Sequence, residues 1–464
     1  MKKTLAVVLA AAMGCSLLTG CSGGGSTGGG AAKATEAATQ AAAKEEAKET
    51  QAAAETEAPA VDASMYEVTE PITIQWWHAQ ESQYAEIIDR LVAEFNESQE
   101  LITVEPVYVG SYTAVNEALV AAHAAGSGLP ALCVANTPYV AEYGAGGLTE
   151  DLTPYIAATG FDIDDFGKGL IDAASYDGKN VALPFLISTQ VIYYNKTVAD
   201  ELGVTVPEKF SDLDEFLETV SIVNNGTTER YGMVIPGWDQ WYFETFYLNN
   251  GVNIINDDQV TTDLDCDAAV ELVNKFKEWC DKGYIYWANG TDASSIMRQN
   301  FIDGKAFSVS HTSSMYNTYV DKCDFEVGMA WLPGGETKNQ EIGGCVLLIP
   351  SKNDQATKNA AWQFLMYLCG KDVNMVWAKE TGYMPTRNSV LHTEEGEAFL
   401  KEKPAFQCIF DNLDLINPRI QHKGWNQLAT IWKNYMVEMM VEDVDIPSKI
   451  EDMVEEINEV LEDA

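Results

Sequence analysis

Apolar residues in the segment 72–136 fall into short runs separated by stretches of helical periodicity. The runs "ITIQWW" at 72–77, "ITVEPVYV" at 102–109 and "LPALCVAN" at 129–136 predict three strands. Between the first two runs, apolar residues recur at helical spacing, namely Tyr84, Ile87, Ile88, Leu91, Val92 and Phe95. A further helix is predicted over about 112–125. This alternation indicates an α/β fold with a largely parallel sheet that is open at the carboxyl ends of its strands.

The rest of the chain continues with longer apolar segments. Residues 184–196, "PFLISTQVIYYNK", form an extended segment with a polar step at Ser188 and Thr189. Sheet-like apolar runs return at 327–335 and 341–350, and the sequence after them is mostly helical in pattern. Because no internal repeat is present, a repeat array is not expected.

The amino-terminal residues predict export rather than a part of the fold. Residues 1–20 have the basic start, short apolar run and small residues of a secretory signal. Cys21 closes a lipobox-like "LTGC", so we expect a lipid on its thiol; the alternative is an ordinary signal peptide with a chance cysteine. Residues 21–70 contain almost nothing apolar beyond alanine and predict a disordered linker. The protein is therefore expected on the extracellular face of the cytoplasmic membrane of a Gram-positive cell.

Composition limits the classes of partner. The roughly 395 residues after the linker are too many for one ordinary core and predict two lobes. The formal net charge of -41 argues against binding to nucleic acid or to anionic lipid surfaces. Seven cysteines follow Cys21 without a C-x-x-C pair, which is typical of small buried apolar residues rather than of a disulfide framework.

Motifs for catalysis, cofactors or metals are missing from the sequence. The five histidines are isolated, and no H-E-x-x-H, G-x-S-x-G, phosphate-binding or dinucleotide-binding pattern occurs. The segment "SVSHTSS" places serines around His311, but no orienting acid is defined for a nucleophile. We therefore expect neither an enzyme nor a bound cofactor or metal ion.

Several segments in one order carry a family resemblance: the lipobox and linker, then "IQWWHAQE", "PFLISTQVIYYNK", "PGWDQWY", "EIGGCVLLIP" and "TGYMPTRNSV". Together they resemble the carbohydrate-type extracellular solute-binding proteins of ABC importers (family 1), and among these the glycerol-3-phosphate-binding group. The resemblance implies a two-lobe, type II periplasmic-binding-protein-like α/β fold with a hinged cleft. We expect one lobe over 71–185 with 328–379, and the other over 186–327 with 380–464.

The resemblance also implies ligand-binding positions. Matching positions supply hydroxyl or backbone donors for an anion at Tyr112, Ser188, Gly344 and Tyr383. Two further positions are Thr137 and His311, with Thr312 as the alternative to His311. The family's phosphate-binding arginine corresponds best to Lys423, with Arg419 as the nearest alternative. A glutamate that binds glycerol hydroxyls in the family is replaced here by Asn136 and Thr137.

The pair Trp238 and Trp241 has two interpretations. Aromatic residues three apart lie on one face of a helical turn and are commonly core residues. In the family, the matching tryptophans flank the glycerol moiety, so the resemblance favours an aromatic platform for a polyol or sugar.

These observations predict the lipid-anchored, monomeric substrate-binding subunit of an ABC importer, working with separate permease subunits. Its expected ligand is glycerol 3-phosphate, a glycerophosphodiester or a related sugar, and a neutral mono- or oligosaccharide is the alternative. A surface glycoside hydrolase or an adhesin would be hypotheses of other classes. The first predicts turnover of oligosaccharides and the second predicts no affinity for small molecules.

Overall fold

A computed structural model describes residues 63–80, 84–391 and 393–464. The predicted signal sequence, Cys21 and most of the predicted linker lie outside these residues. Near the end of the predicted linker, Ala63–Tyr66 form a 3-10 helix. The ring of Tyr66 packs edge-on against Tyr155 at a centroid distance of 4.4 Å. The folded part therefore includes residues ahead of the first predicted strand.

The described part of the chain contains strands β1–β13 and helices α1–α18. The strands are β1 Ile72–His78, β2 Ile102–Tyr108, β3 Leu132–Asn136, β4 Ser175–Tyr176, β5 Lys179–Asn180, β6 Leu183–Asn195, β7 Ile222–Asn224, β8 Thr227–Pro236, β9 Ile285–Ala288, β10 Ala306–Thr312, β11 Val327–Ala330, β12 Gln340–Leu348 and β13 Ile416–Asn417. The helices are α1 Ala85–Ser98, α2 Tyr112–Ala125, α3 Tyr139–Ala145, α4 Thr153–Thr159, α5 Lys168–Ala173, α6 Lys196–Leu202, α7 Leu213–Val220, α8 Trp241–Asn249, α9 Asp267–Asp281, α10 Ala293–Ile302, α11 Tyr316–Lys322, α12 Gln355–Leu368, α13 Lys371–Glu380, α14 Asn388–Leu391, α15 Glu394–Glu402, α16 Gln407–Phe410, α17 Trp425–Val441 and α18 Ile446–Asp463. Among described residues, no helix is long and apolar enough to cross a membrane.

The strands that reach the site belong to one large mixed sheet. Its main path runs β2-β1-β3-β12-β6-β10-β8-β7, with β11, β13 and β9 paired at its sides. Strand β1 is parallel to β2 and β3, as predicted, but β12 is antiparallel to β3 and β6. Strand β10 is antiparallel to β6 and parallel to β8. The expectation of a largely parallel sheet is therefore wrong, because the long strands β6 and β12 run against their neighbours at its centre.

The buried apolar side chains form three clusters, and β6 contributes to all of them. Leu183, Phe185 and Leu186 join the cluster around β1–β3 and α12. Farther along the same strand, Ile192 belongs to the cluster around α8, α9 and α17, and Val191 belongs to the one around β10 and α10. A continuous strand thus connects separate cores, and its polar middle lies between them. The lobe boundaries given above stay a prediction.

The seven cysteines in the described ranges are free thiols. Cys133, Cys345 and Cys369 are buried, and the other four are partly buried. Burial raises the pKa of the Cys369 thiol to about 12, so this group stays protonated and unreactive at neutral pH. This agrees with the interpretation of these residues as small apolar side chains.

Candidate ligand-binding site

A cavity of about 150 Å³ lies beside the polar middle of β6, and we call it the inner cavity. Its lining residues are Tyr112, Asn136, Ser188, Asp239, Trp241, Tyr242, Thr312, Ser314, Gly343, Gly344, Tyr383 and Arg419. Six of the positions predicted from the sequence are among them. Residues from distant parts of the chain therefore meet at the sheet centre, where β3, β6 and β12 lie side by side.

A second cavity of about 550 Å³, here called the outer cavity, adjoins the first. Four residues line both cavities: Tyr112, Asn136, Asp239 and Arg419. The outer cavity adds Trp238 and further aromatic and polar groups from α2, α3 and α17. We call the two cavities together the cleft. A larger cavity of about 630 Å³ elsewhere, lined by residues of α7 and α9, includes none of the predicted positions.

The two tryptophans reach the cleft at different depths. Helix α8 begins at Trp241, whose backbone N–H donates to Asp239 Oδ1 at 3.0 Å, while Trp238 lies in the preceding turn. The pair is therefore not on one face of a helical turn. Trp241 lines the inner cavity and is 5% exposed, whereas the half-buried Trp238 lines the outer cavity. The ring of Tyr242 lies 5.0 Å from that of Trp241 and 5.8 Å from that of Trp238, which gives a continuous aromatic wall.

The close contact between Trp241 and β12 requires glycine at residue 343. A Cβ atom on Gly343 would lie 2.6 Å from Cη2 and Cζ2 of the Trp241 ring and 2.9 Å from Ser188 Oγ. Its neighbour Gly344 has a φ of 92°, and a Cβ there would lie 1.9 Å from the carbonyl oxygen of Leu186. The two glycines thus let the backbone of β12 approach both the indole ring and β6.

A chain of hydroxyl groups runs along another wall of the inner cavity. The hydroxyl of Tyr383 is hydrogen-bonded to Tyr112 and to Ser314. The Tyr112 hydroxyl also accepts from Gln80 Nε2 at 3.3 Å. Burial raises the pKa of Tyr112 and of Tyr383 well above the ordinary value. Both phenols therefore stay protonated and can donate to, or accept from, ligand oxygens.

Arg419 supplies the guanidinium group of the inner cavity. Its Nε donates to Glu244 Oε1 at 3.2 Å, with the two side chains 3% and 0% exposed. With the Gln240 amide oriented to satisfy its hydrogen bonds, Nη2 of Arg419 donates to the Gln240 oxygen at 2.8 Å. The guanidinium carbon also lies 5.8 Å from the centre of the Trp241 ring. These contacts fix its planar group against the cavity wall.

Three predicted positions lie elsewhere. Lys423 lines neither cavity, and its ammonium group donates to the backbone oxygen of Ala464. Thr137 is fully buried beyond the end of β3. His311 is buried behind the aromatic wall, where Nδ1 lies 3.0 Å from the Tyr319 hydroxyl. Burial lowers the pKa of His311 to about 3, so its ring is neutral.

Four residues that line the inner cavity were not selected from the sequence: Asp239, Tyr242, Ser314 and Gly343. Three of them stand next to a selected position, and Ser314 stands two residues from Thr312. Asp239 and Tyr242 flank the selected tryptophans in "WDQWY", and Gly343 is the first glycine of "IGG". Their proximity to selected residues was an available signal, since loops and strand centres contribute several side chains to one site.

No group of three or more His, Cys, Asp or Glu side chains that could hold a metal ion occurs in the part of the chain that the structure describes. The inner cavity has aromatic faces, hydroxyls, one amide, one guanidinium and one carboxylate on its walls. Such a set suits a small ligand with many hydroxyl groups. Residues 90–407 match the family model of the bacterial extracellular solute-binding proteins, so the chain belongs to this family.

Particular relatives fit the same class. The sn-glycerol-3-phosphate-binding periplasmic protein of Agrobacterium fabrum is 24% identical over 342 residues, which cover 72% of this chain and 78% of that protein. A Mycobacterium tuberculosis protein solved with glycerophosphocholine superposes with a TM-score of 0.74 at 20% identity, covering 85% of this chain and 99% of its own. An ABC substrate-binding protein of Listeria monocytogenes in complex with cycloalternan gives a TM-score of 0.75 at 19% identity, covering 85% and 100%. These similarities confirm the predicted type II solute-binding fold.

Proposed function

We propose that this protein is the substrate-binding subunit of an ABC importer and that it binds a small polyhydroxylated solute in the inner cavity. The observation that carries the proposal is the convergence of Trp241, Tyr383 and Arg419, from three distant parts of the chain, on one cavity in a solute-binding fold. A packed core would not require a guanidinium, a carboxylate and several hydroxyl groups to face the same space.

The walls of the inner cavity match the two faces of a polyol or sugar. The rings of Trp241 and Tyr242 suit its C–H face, while the hydroxyls of Tyr112 and Tyr383 suit its oxygens. A volume of about 150 Å³ is small for a ligand site and suits one glycerol or monosaccharide unit. A longer ligand would extend into the outer cavity toward Trp238.

Two ligand versions follow from the family. The named function of the Agrobacterium relative supports glycerol 3-phosphate, and the Mycobacterium complex supports a glycerophosphodiester. The Listeria complex with cycloalternan supports a neutral oligosaccharide. In either version the ligand shifts the protein from an open form toward a closed one. It is then released unchanged to permease subunits, which are separate chains.

A ligand panel tests the proposal. Purified protein is heated with and without polyols, mono- and oligosaccharides and glycerol phosphates, and a ligand at a hundred times its Kd should stabilise the fold by about 2.7 kcal/mol. Tyr383→Phe should weaken binding by up to about tenfold, because it removes one hydroxyl from the cavity. Tyr319→Phe is the matched control, since the Tyr319 hydroxyl pairs with His311 outside the cavity lining. Equal loss of affinity in both variants, or cleavage of the oligosaccharides, would contradict the proposal.

The membrane attachment is a separate part of the proposal. A lipid on Cys21, followed by the predicted linker up to the 3-10 helix Ala63–Tyr66, would hold the folded part near the extracellular face of the membrane. Cys21→Ser should release the protein into the medium and prevent incorporation of labelled fatty acid. Unchanged membrane partition of this variant would show that the anchor lies elsewhere.

A further inference from the structure

Provided that the inner cavity binds a ligand as proposed, the charges around Arg419 decide which of the two ligand versions applies. We infer that the inner cavity selects an uncharged, hydroxyl-rich ligand against its phosphorylated counterpart, because Asp239 and Glu244 neutralise the guanidinium of Arg419. This inference favours a neutral sugar or polyol as the ligand over glycerol 3-phosphate, which the family resemblance places first.

The guanidinium already has a buried counter-ion. Glu244 is 0% exposed, lies in the first turn of α8 and accepts from Arg419 Nε at 3.2 Å. Breaking a salt bridge that is removed from water is strongly unfavourable, because it leaves a buried charge without compensation. Arg419 therefore faces the ligand as a directed hydrogen-bond donor and not as a free positive charge.

A second buried carboxyl group lies beside this pair. Glu341 of β12 is 3% exposed, and its carboxyl group is within hydrogen-bonding distance of Glu244. Burial, and then the nearby charge of Glu244, raise the pKa of Glu341 well above its ordinary value. The Oε2 atoms of Glu244 and Glu341 have no hydrogen-bond donor among the described residues. A protonated Glu341 can donate to the carboxylate of Glu244, so the two side chains together leave one negative charge opposite the one guanidinium.

The cavity wall then adds another carboxylate. Asp239 lines both cavities, and Asp239 and Arg419 are the charged side chains that line the inner cavity within the described ranges. A phosphate monoester at neutral pH carries close to two negative charges and would be placed beside this carboxylate. A neutral sugar can instead donate its hydroxyl protons to Asp239 and accept from Arg419. The two side chains thus complement an uncharged polyol, whereas a phosphate meets a repulsive group without a net positive charge in compensation.

The test compares matched pairs of ligands on wild type and on Asp239→Asn. Affinities are measured by calorimetry for glycerol, ribitol and maltose, and for glycerol 3-phosphate, glucose 6-phosphate and inorganic phosphate. Asparagine keeps an oxygen that accepts from the Trp241 N–H, so helix α8 retains its first contact. Asp354→Asn is the matched control, because Asp354 also accepts a backbone N–H at the start of a helix, at 2.9 Å from Thr357, but lines no part of the cleft.

Wild type should bind at least one neutral compound and should bind phosphorylated compounds at least about tenfold more weakly. Asp239→Asn should improve the affinity for glycerol 3-phosphate, relative to the neutral ligand, by about tenfold or more, and Asp354→Asn should not change the ratio. The double variant Glu244→Gln with Glu341→Gln, where it folds, should move the ratio in the same direction.

Tighter binding of a phosphorylated compound by wild type would overturn this inference and leave the proposed function in place. An unchanged ratio in Asp239→Asn would overturn it as well. Absence of binding by every compound would instead remove the proposed ligand class, and the inference with it.

Discussion

Gly343→Ala tests whether the contact between β12 and the Trp241 ring shapes the ligand site. The added Cβ would lie 2.6 Å from two atoms of the indole benzene ring and 2.9 Å from Ser188 Oγ, so one of these groups has to move. The indole is 5% exposed and packs against Tyr242 at 5.0 Å, which leaves it little room. Overpacking of this kind costs about 1–3 kcal/mol of stability. A ring displaced within a cavity of about 150 Å³ should also weaken ligand binding at least about tenfold.

A double-mutant cycle with Trp241→Phe isolates this contact. Phenylalanine lacks the Cη2 and Cζ2 atoms that the new methyl group would meet, so Gly343→Ala should cost less in that background. Urea unfolding and calorimetric titration of the four proteins should give a coupling energy of about 0.5–3 kcal/mol. An equal cost of Gly343→Ala in both backgrounds would refute the reasoning, because the clash would then lie elsewhere.

Gly344→Ala provides the contrasting control. Its Cβ would meet the Leu186 carbonyl oxygen at 1.9 Å, and its φ of 92° is strained for alanine. Since backbone atoms cannot rotate away as a side chain can, this variant should destabilise the fold more than Gly343→Ala. A Gly344→Ala protein as stable as wild type would show that β12 and β6 can separate locally without cost.

Three further predictions concern buried polar groups. Burial lowers the pKa of His311 from 6.5 to about 3, so the unfolded state takes up the proton at a higher pH than the folded state does. Wild type should therefore lose stability as the pH falls from 6.5 toward 3. His311→Gln should reduce that loss in urea unfolding. Burial lowers the pKa of Lys403 from 10.5 to about 8, so stability should rise as pH increases from 8 toward 10.5, and Lys403→Met should lack this rise in the same assay. Arg387 donates to the Cys369 and Asp162 carbonyls at 2.7 Å, so Arg387→Met should cost about 2–4 kcal/mol of stability while calorimetry shows unchanged ligand affinity.

The secondary structure near the start of the folded part could be predicted closely. Apolar residues there form short continuous runs in the strands and recur at helical spacing between them. The predicted helix over 112–125 agrees with α2, and the strand over 72–77 agrees with β1, which ends one residue later. Sheet direction could not be predicted in the same way. The run that became β6 is buried on both faces, and such a run gives no information on whether its neighbours are parallel or antiparallel.

The site was partly predictable for a different reason. The positions Tyr112, Ser188, Gly344 and Tyr383 follow from a family resemblance, and all of them line the inner cavity. The residue that supplies the cation could not be chosen from the sequence, because Arg419 and Lys423 are only four residues apart in an irregular segment. In the structure, Glu244 and Trp241 hold Arg419 at the cavity wall, and both belong to a helix far away in the chain. A partner at that sequence distance leaves no local pattern.

Trp241 shows why the alternatives of core residue and ligand platform could not be separated by pattern. At 5% exposure it is buried by any ordinary standard, and it packs against Tyr242 and the backbone of Gly343. It nevertheless lines the inner cavity, because the walls of a small cavity shield it from solvent as a core would. The indole Nε1 does not separate the alternatives either, because it has no hydrogen-bond partner among the described residues and the same holds for six other buried tryptophans, including the core residues Trp362 and Trp432. Contact with the inner cavity, which only the folded chain creates, is what distinguishes Trp241 from them.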